Sequence, residues 1–268
     1  MGRLLALALA STLTTACSDG RGSGQPGIDG GGGDLAGMLP GGDALVYSHT
    51  ASVLYTVDPD NLAVNPVGAF QWPNAADEMT DIAIDRDGKM IGISYTAVYG
   101  VDKATAACTY LAAFAGGDFN GLSFISTDQI DAVGGAETLV GAAIDGSVYR
   151  IDPNTGAQTK IGSYGPGLGS SGDLVSVLGA TYATVRGAAA TDVLVKVDVK
   201  TGKATQIGAT GYNDIWGLGY WKQRLFGFTQ QTGMVTIDVN TGVASPAVTM
   251  KIPWYGAGVT TAAPTTVN

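Results

Sequence analysis

The chain has 268 residues but one histidine, His49, two cysteines, Cys17 and Cys108, and 14 lysines and arginines. A single imidazole excludes a histidine-rich metal site and gives a serine triad at most one base to draw on. Two cysteines cannot make a disulfide framework or a cysteine zinc site, and fewer remain if Cys17 is modified as argued below. The few cations are scattered, with no cluster to neutralise phosphate, so nucleic acid is not an expected partner. Charged residues make up 14% and the net charge is −9. That balance suits solubility, cations or basic partners. No segment keeps a helical period, and neither a metalloprotease helix motif nor a nucleophile elbow occurs.

Glycine is abundant instead: 41 residues, roughly double the usual ~7% share. Against that background one phrase recurs five times, an aliphatic or β-branched run closed by Asp. It ends at Asp58, Asp102, Asp152, Asp198 and Asp238, in steps of 44, 50, 46 and 40 residues. A period of about 45 residues with strand-rich content predicts a β-propeller, one repeat per blade. In the second blade the strands are expected over Met79–Asp85, Met90–Tyr95, Ala97–Val101 and Cys108–Phe114. Asp85-Arg86-Asp87-Gly88 supplies a hairpin turn between the first two.

Third and fourth strands are joined by a repeated turn, as in Asp152-Pro153-Asn154-Thr155-Gly156 and Asp198-Val199-Lys200-Thr201-Gly202. Asp accepts backbone hydrogen bonds two residues on, and Gly supplies a positive φ. These turns are too short for calcium loops and lack the closing Glu, so turn geometry is expected of them. Gly68, Gly162 and Gly208 are expected to end the fourth strands.

The first repeat lacks its first strand. The last runs on into Trp254-Tyr255-Gly256-Ala257-Gly258-Val259, which matches the first-strand phrase Ile215-Trp216-Gly217-Leu218-Gly219-Tyr220. The prediction is an all-β fold: a five-bladed β-propeller of four-stranded antiparallel blades over residues 43–268, closed when the C-terminal strand completes the first blade. Closure removes open sheet edges. The pattern resembles the bacterial secreted repeat propellers with YVTN- or NHL-like blades. That resemblance implies the fold and is nearly silent on function.

Residues 1–16 carry Arg3, an apolar run from Leu4 to Ala10 and then small residues, the anatomy of a secretory signal too short to span a bilayer. The run ends Leu13-Thr14-Thr15-Ala16-Cys17, which resembles a bacterial lipobox. The resemblance implies that Cys17 is lipidated and that acyl chains (palmitate-type) anchor the protein to a membrane of the cell envelope. Ser18 after the cysteine leans towards the outer membrane. Residues 17–42, with the Gly-rich stretch Gly20–Gly42, are expected to form a flexible tether.

Propellers bind ligands at the channel mouth, where loops lead into the innermost strands. Those loops and strand starts carry Glu78, Asp81, Asp118, Asn120, Asp173, Asn213, Asp214, Trp216, Trp254 and Tyr255. Glu78, Asp118 and Asp214 align by blade, so they are the candidate metal ligands, with Ca2+ the candidate ion. Trp216, Trp254 and Tyr255 are candidate apolar walls. Gly167-Leu168-Gly169-Ser170-Ser171-Gly172 fits a dinucleotide pattern but lacks the βαβ context, so a loop is expected. Cys108 and His49 are expected to be structural.

Two functional classes follow. One is a non-enzymatic, membrane-tethered extracytoplasmic binding or scaffold protein, with a small polar ligand or another envelope protein as partner. The other is a metal-dependent hydrolase or lyase of the lactonase-like propeller type, which needs Glu78, Asp118 or Asp214 to ligate an ion. The role of the insertion at 126–137 is open between functional loop and slack.

Overall fold

A computed structural model describes residues 46–114, 117–130 and 136–267. The signal segment, Cys17 and the tether fall outside the described residues. All regular structure among the described residues is β, arranged as five four-stranded antiparallel sheets.

Blade 1 holds β1 (Val46–His49), β2 (Val53–Val57) and β3 (Val64–Ala69). Blade 2 runs β4 (Asp81–Ile84), β5 (Met90–Ile93), β6 (Ala97–Val101) and β7 (Cys108–Ala113). Blade 3 runs β8 (Phe119–Ile125), β9 (Thr138–Ala143), β10 (Ser147–Ile151) and β11 (Gln158–Ser163). Blade 4 runs β12 (Gly169–Val177), β13 (Ala180–Arg186), β14 (Val193–Val197) and β15 (Ala204–Ala209). Blade 5 runs β16 (Ile215–Trp221), β17 (Arg224–Thr229), β18 (Gly233–Asp238) and β19 (Ala244–Thr249). The last strand, β20 (Gly256–Gly258), joins blade 1 beside β1, pairing Tyr47 with Gly258 and His49 with Gly256. The predicted ring closure is therefore present.

Burial follows radial position. Inner strands such as β4 and β9 are buried along their whole length, because neighbouring blades cover both faces. That is why they read as continuous apolar runs rather than alternating ones. The outermost strands β3, β11, β15 and β19 share one half-exposed pattern, with polar pairs such as Thr159-Lys160 turned to solvent.

The Asp turns form as predicted. Asp152 Oδ1 accepts from the Asn154 amide at 2.9 Å, and Asp198 Oδ1 from the Lys200 amide at 2.9 Å. Gly156, Gly202 and Gly242 take φ of 69°, 74° and 77°, while Leu62 and Ala106 hold the same left-handed conformation in the degenerate copies. Gly68, with open space where a Cβ would stand, is penultimate in β3, and Gly162 and Gly208 likewise do not end their strands. Each of the latter two is the penultimate residue, next to a register shift, where a Cβ would strike the carbonyl of Thr201 or Thr241 in the next blade. The glycine is there for close approach between blades, not for termination. The expected loop Gly167–Gly172 is also corrected: its second half opens β12.

On the face away from the mouth, the described part of the insertion is a clasp. Gln129 Nε2 donates to Ser126 Oγ, Ser176 Oγ and the Val177 carbonyl at 2.7–2.9 Å, and Gln129 Oε1 accepts from Thr181. Glu137 accepts from the Arg86 amide and from Thr261 Oγ1, tying blade 2 and the C-terminal tail to this loop.

Candidate functional site

In an antiparallel blade the connection from strand four to the next strand one, and the connection from strand two to strand three, emerge on the same face. Both therefore rim the channel mouth. Between them lies a cavity of about 270 Å3, lined by Asp118, Asn120, Trp216 and Tyr255 from the first set and by Tyr95, Ile144 and Arg186 from the second. Thr80, Ser170 and Ser171 supply further polar atoms, and Phe119 part of the wall.

Three inner strands reach this cavity through bulges. Asn120 is the extra residue between the pairs Phe119–Ala143 and Gly121–Ala142. Trp216 is the extra residue between Ile215–Thr229 and Gly217–Phe228. Ser171 lies in the larger irregularity between Ser170 and Leu174. A bulge bends its strand and re-aims a side chain, here onto the mouth. The Trp216 and Tyr255 rings stand at right angles, 5.4 Å apart at 89°. Arg186 is engaged along one edge: Nε donates to Ser171 Oγ, and Nη2 to the Ser171 carbonyl and to Asp214 Oδ1 at 3.2 Å. Asn120 Oδ1 is buried and has no hydrogen-bond partner. Burial first, and then the nearby Tyr255, Glu78 and Asp118, push the Tyr95 phenol up, so it stays protonated.

Of the residues predicted from sequence, Asp118, Asn120, Trp216 and Tyr255 line the cavity. Asp214 stands beside it, its carboxylate committed to Arg186. Glu78 and Asn213 are exposed and outside the lining. Trp254 is not a wall of the mouth. It is fully buried, edge-on to Tyr55 at 5.2 Å and to Phe228 at 5.3 Å. Among the described residues no three His, Cys, Asp or Glu side chains are grouped so as to hold a metal ion, and the proposed trio of Glu78, Asp118 and Asp214 does not converge.

Asp81 and Asp173 also lie elsewhere than expected. Both are completely buried on the ring axis. They share one column of the inner strands with Gly121, Gly217 and Gly256; Gly256 leaves room for the Asp81 carboxyl, while Gly121 and Gly217 allow close approach of the next blade. A Cβ on Gly256 would meet the Asp81 carboxyl and His49 Nε2, and one on Gly217 would lie 2.7 Å from the backbone of Gly256. Amides of the next column hold the acids. Asp81 Oδ1 accepts from Ile82 at 2.8 Å, and Asp173 accepts from Leu174 at 2.6 Å and Leu218 at 2.8 Å. Burial, and then the charge of Asp173, raise the Asp81 carboxyl well above the usual range; burial does the same to Asp173. Two such groups in one dry site cannot both ionise, so the pair retains a proton. His49 closes the cluster, its Nε2 3.7 Å from Asp81 Oδ1. Burial lowers its pKa to about 4, against the smaller opposing effect of its bond to the Thr50 carbonyl. The imidazole is thus neutral at pH 7, and the contact is not an ion pair.

Cys108 is buried as expected, and burial pushes its thiol to about 12, which leaves it unreactive.

No protein-family model matches the chain, and no curated protein matches it in sequence. Solved structures do resemble it in fold. A chain of the nidogen/laminin complex aligns with TM-score 0.52 at 10% identity, over 84% of this chain and 99% of that one. TolB from Acinetobacter baumannii aligns with TM-score 0.48 at 14% identity, over 82% of this chain and 55% of that one. A protein of unknown function from Bacteroides caccae aligns with TM-score 0.45 at 8% identity, over 80% and 98%. At these identities the likeness extends to the fold alone.

Proposed function

We propose that this protein is a lipid-anchored extracytoplasmic propeller that binds a small ligand at its axial mouth without transforming it. One observation carries this reading: a cavity of about 270 Å3 at the mouth, onto which three strand bulges turn Asn120, Ser171 and Trp216. Concave sites with apolar walls and a few fixed polar groups are where small ligands bind. Binding without chemistry is favoured because the one histidine is buried beneath the mouth and Asp214 is paired with Arg186. The hydrolase reading needs Glu78, Asp118 or Asp214 to ligate an ion; with Asp214 paired to Arg186 and Glu78 outside the lining, it is the less favoured.

The anchor rests on the Leu13–Cys17 phrase, which resembles a lipobox. Several acyl chains on Cys17 hold a protein stably at a membrane, where one holds it only marginally. A cell-envelope address, leaning to the outer membrane, follows from Ser18.

Ligand-observed NMR with a fragment mixture tests the mouth. Fragments that bind the native protein and are lost in Trp216→Leu support the reading. A set of binders indifferent to Trp216→Leu and Tyr255→Leu refutes it. For the anchor, alkyne-palmitate incorporation in a bacterial host is expected in the native chain and absent in Cys17→Ser. Equal labelling of both would remove the tether from the proposal.

A further inference from the structure

The polar groups around the mouth can be sorted by whether they are already in use. Thr80 donates to the Ile93 carbonyl, Ser170 to the Gly172 carbonyl, and all three hydrogen bonds of Arg186 go to Ser171 and Asp214. Among the groups left over, the Tyr95 and Tyr255 hydroxyls and the Trp216 indole N–H are neutral, and the one unbalanced charge is an anion. The Asp118 carboxylate has no hydrogen-bond or ion-pair partner among the described residues, and Asn120 Oδ1 is a buried acceptor with none. With Arg186 and Asp214 balancing one another, Asp118 leaves the cavity with one net negative charge, and Asn120 Oδ1 adds an unpaired acceptor. Its apolar side is aromatic: Trp216 and Tyr255 meet at 89°, and Tyr95, 53% exposed, rims the same opening.

Resting on the small-ligand reading above, we infer that the mouth takes an organic ammonium ion, an alkylated amine that keeps an N–H. Its charge faces Asp118, its N–H reaches Asn120 Oδ1, and its alkyl groups lie in the corner between the Trp216 and Tyr255 rings. Perpendicular aromatic faces attract a cation through their quadrupoles, most strongly on Trp and where water is excluded. An anion is disfavoured because the one guanidinium at the site is already neutralised by Asp214. A neutral polyol would gain nothing from the Asp118 charge or from the aromatic quadrupoles. At about 270 Å3 the cavity admits an ammonium head group rather than a drug-sized molecule.

Calorimetric titration at pH 7 and matched low ionic strength tests this on the described propeller within the full chain. The probes are N,N-dimethylethanolamine, choline, the neutral isostere 3,3-dimethylbutan-1-ol, and a tripeptide with a central dimethyl-lysine. The tertiary ammonium is expected to bind about tenfold more tightly than the neutral isostere, and more tightly than choline, which has no N–H for Asn120. Asp118→Asn, on an exposed loop, should weaken the ammonium about three- to tenfold and leave the isostere unchanged. Trp216→Leu should remove both. The peptide distinguishes sources: tighter binding than the free amine marks a lysine side chain as the natural ligand, weaker binding a free amine, and either supports the ammonium class. Equal affinity for the neutral isostere, or indifference to Asp118→Asn, overturns the inference. If no ammonium binds while fragments still depend on Trp216, the charge assignment falls and the mouth site stands. If nothing depends on Trp216, both fall.

Discussion

Replacing Trp254 by Ala tests whether ring closure holds the fold together. Trp254 precedes β20 and is fully buried. Its indole meets Tyr55 of β2 in the first blade and Phe228 of β17 in the last. No covalent connection other than the chain itself joins those two blades, so this ring bridges the seam. Truncating a buried Trp costs about 3–5 kcal/mol, part of it from two edge-to-face pairs worth roughly 0.5–1.5 kcal/mol each. A domain of this size is stable by only ~5–15 kcal/mol, and about 1 kcal/mol moves its melting point by ~2–4 °C. Trp254→Ala should therefore lower the melting temperature by about 6–20 °C. Trp254→Phe should cost much less. It keeps most of the ring and removes a buried indole N–H that has no partner, an orphan that itself costs ~1–3 kcal/mol. Urea unfolding followed by circular dichroism measures both. A double-mutant cycle with Tyr55→Ala isolates the contact across the seam, and a coupling of ~0.5–1.5 kcal/mol is expected. Zero coupling, or a Trp254→Ala protein that melts within about 2 °C of the native one, would refute the claim that the tail locks the ring.

Three further perturbations follow from the same geometry. The raised pKa of Asp81 means that the folded state binds more protons than the unfolded chain above the usual carboxylate range, so this contribution is full below about pH 3.8 and is lost as pH rises through the folded value. His49, lowered to about 4 from 6.5, works oppositely: its neutral form contributes stability above 6.5 that is lost as pH falls towards 4. Asp81→Asn keeps the acceptor for Ile82 and removes the ionisable group, so it should melt higher than the native protein at pH 8–9; an unchanged difference between pH 5 and pH 9 counts against the shared proton. Gly162→Ala should destabilise by about 1–3 kcal/mol, because the new methyl has to push back the rigid Thr201 carbonyl of the next blade, at a residue whose φ is not positive; Gly165→Ala, where a Cβ meets open space but the φ is 129°, should show backbone strain without a collision. Gln129→Ala should cost about 1–3 kcal/mol by removing the amide that joins Ser126, Ser176, Val177 and Thr181, although Thr181 still donates to Ser176, and unchanged denaturant midpoints would mean the insertion is slack after all.

Why some of this was readable in the residue string and some was not comes down to what each feature encodes. The five Asp turns were legible because one chemistry recurs at one spacing: a carboxylate capping an amide two residues on, then a left-handed residue. Closure was legible because Trp254–Val259 repeats the phrase of Ile215–Tyr220 when the first blade has no such phrase of its own. The mouth was only half legible. Loops from strand four to strand one were considered, while Tyr95, Ile144 and Arg186 sit on connections between strands two and three. Strand alternation alone places those tips on the same face, so the signal was present in the predicted topology. The fate of Trp254 was legible too, by column rather than by type: it aligns with Met79, Phe119 and Ile215, all buried aliphatic or aromatic residues. Asp81 and Asp173 are different. Whether an acid at the start of an inner strand faces water or the axis is decided by one residue of register, and in β8, β12 and β16 bulges change that register locally. A bulge leaves no mark in composition. The glycines at 121, 217 and 256 do leave one, since three small residues around a ring imply that something from the remaining two blades fills the centre. That filling is a pair of carboxyls holding a proton, which ties the stability of the ring to pH directly beneath the surface where a cation is proposed to bind.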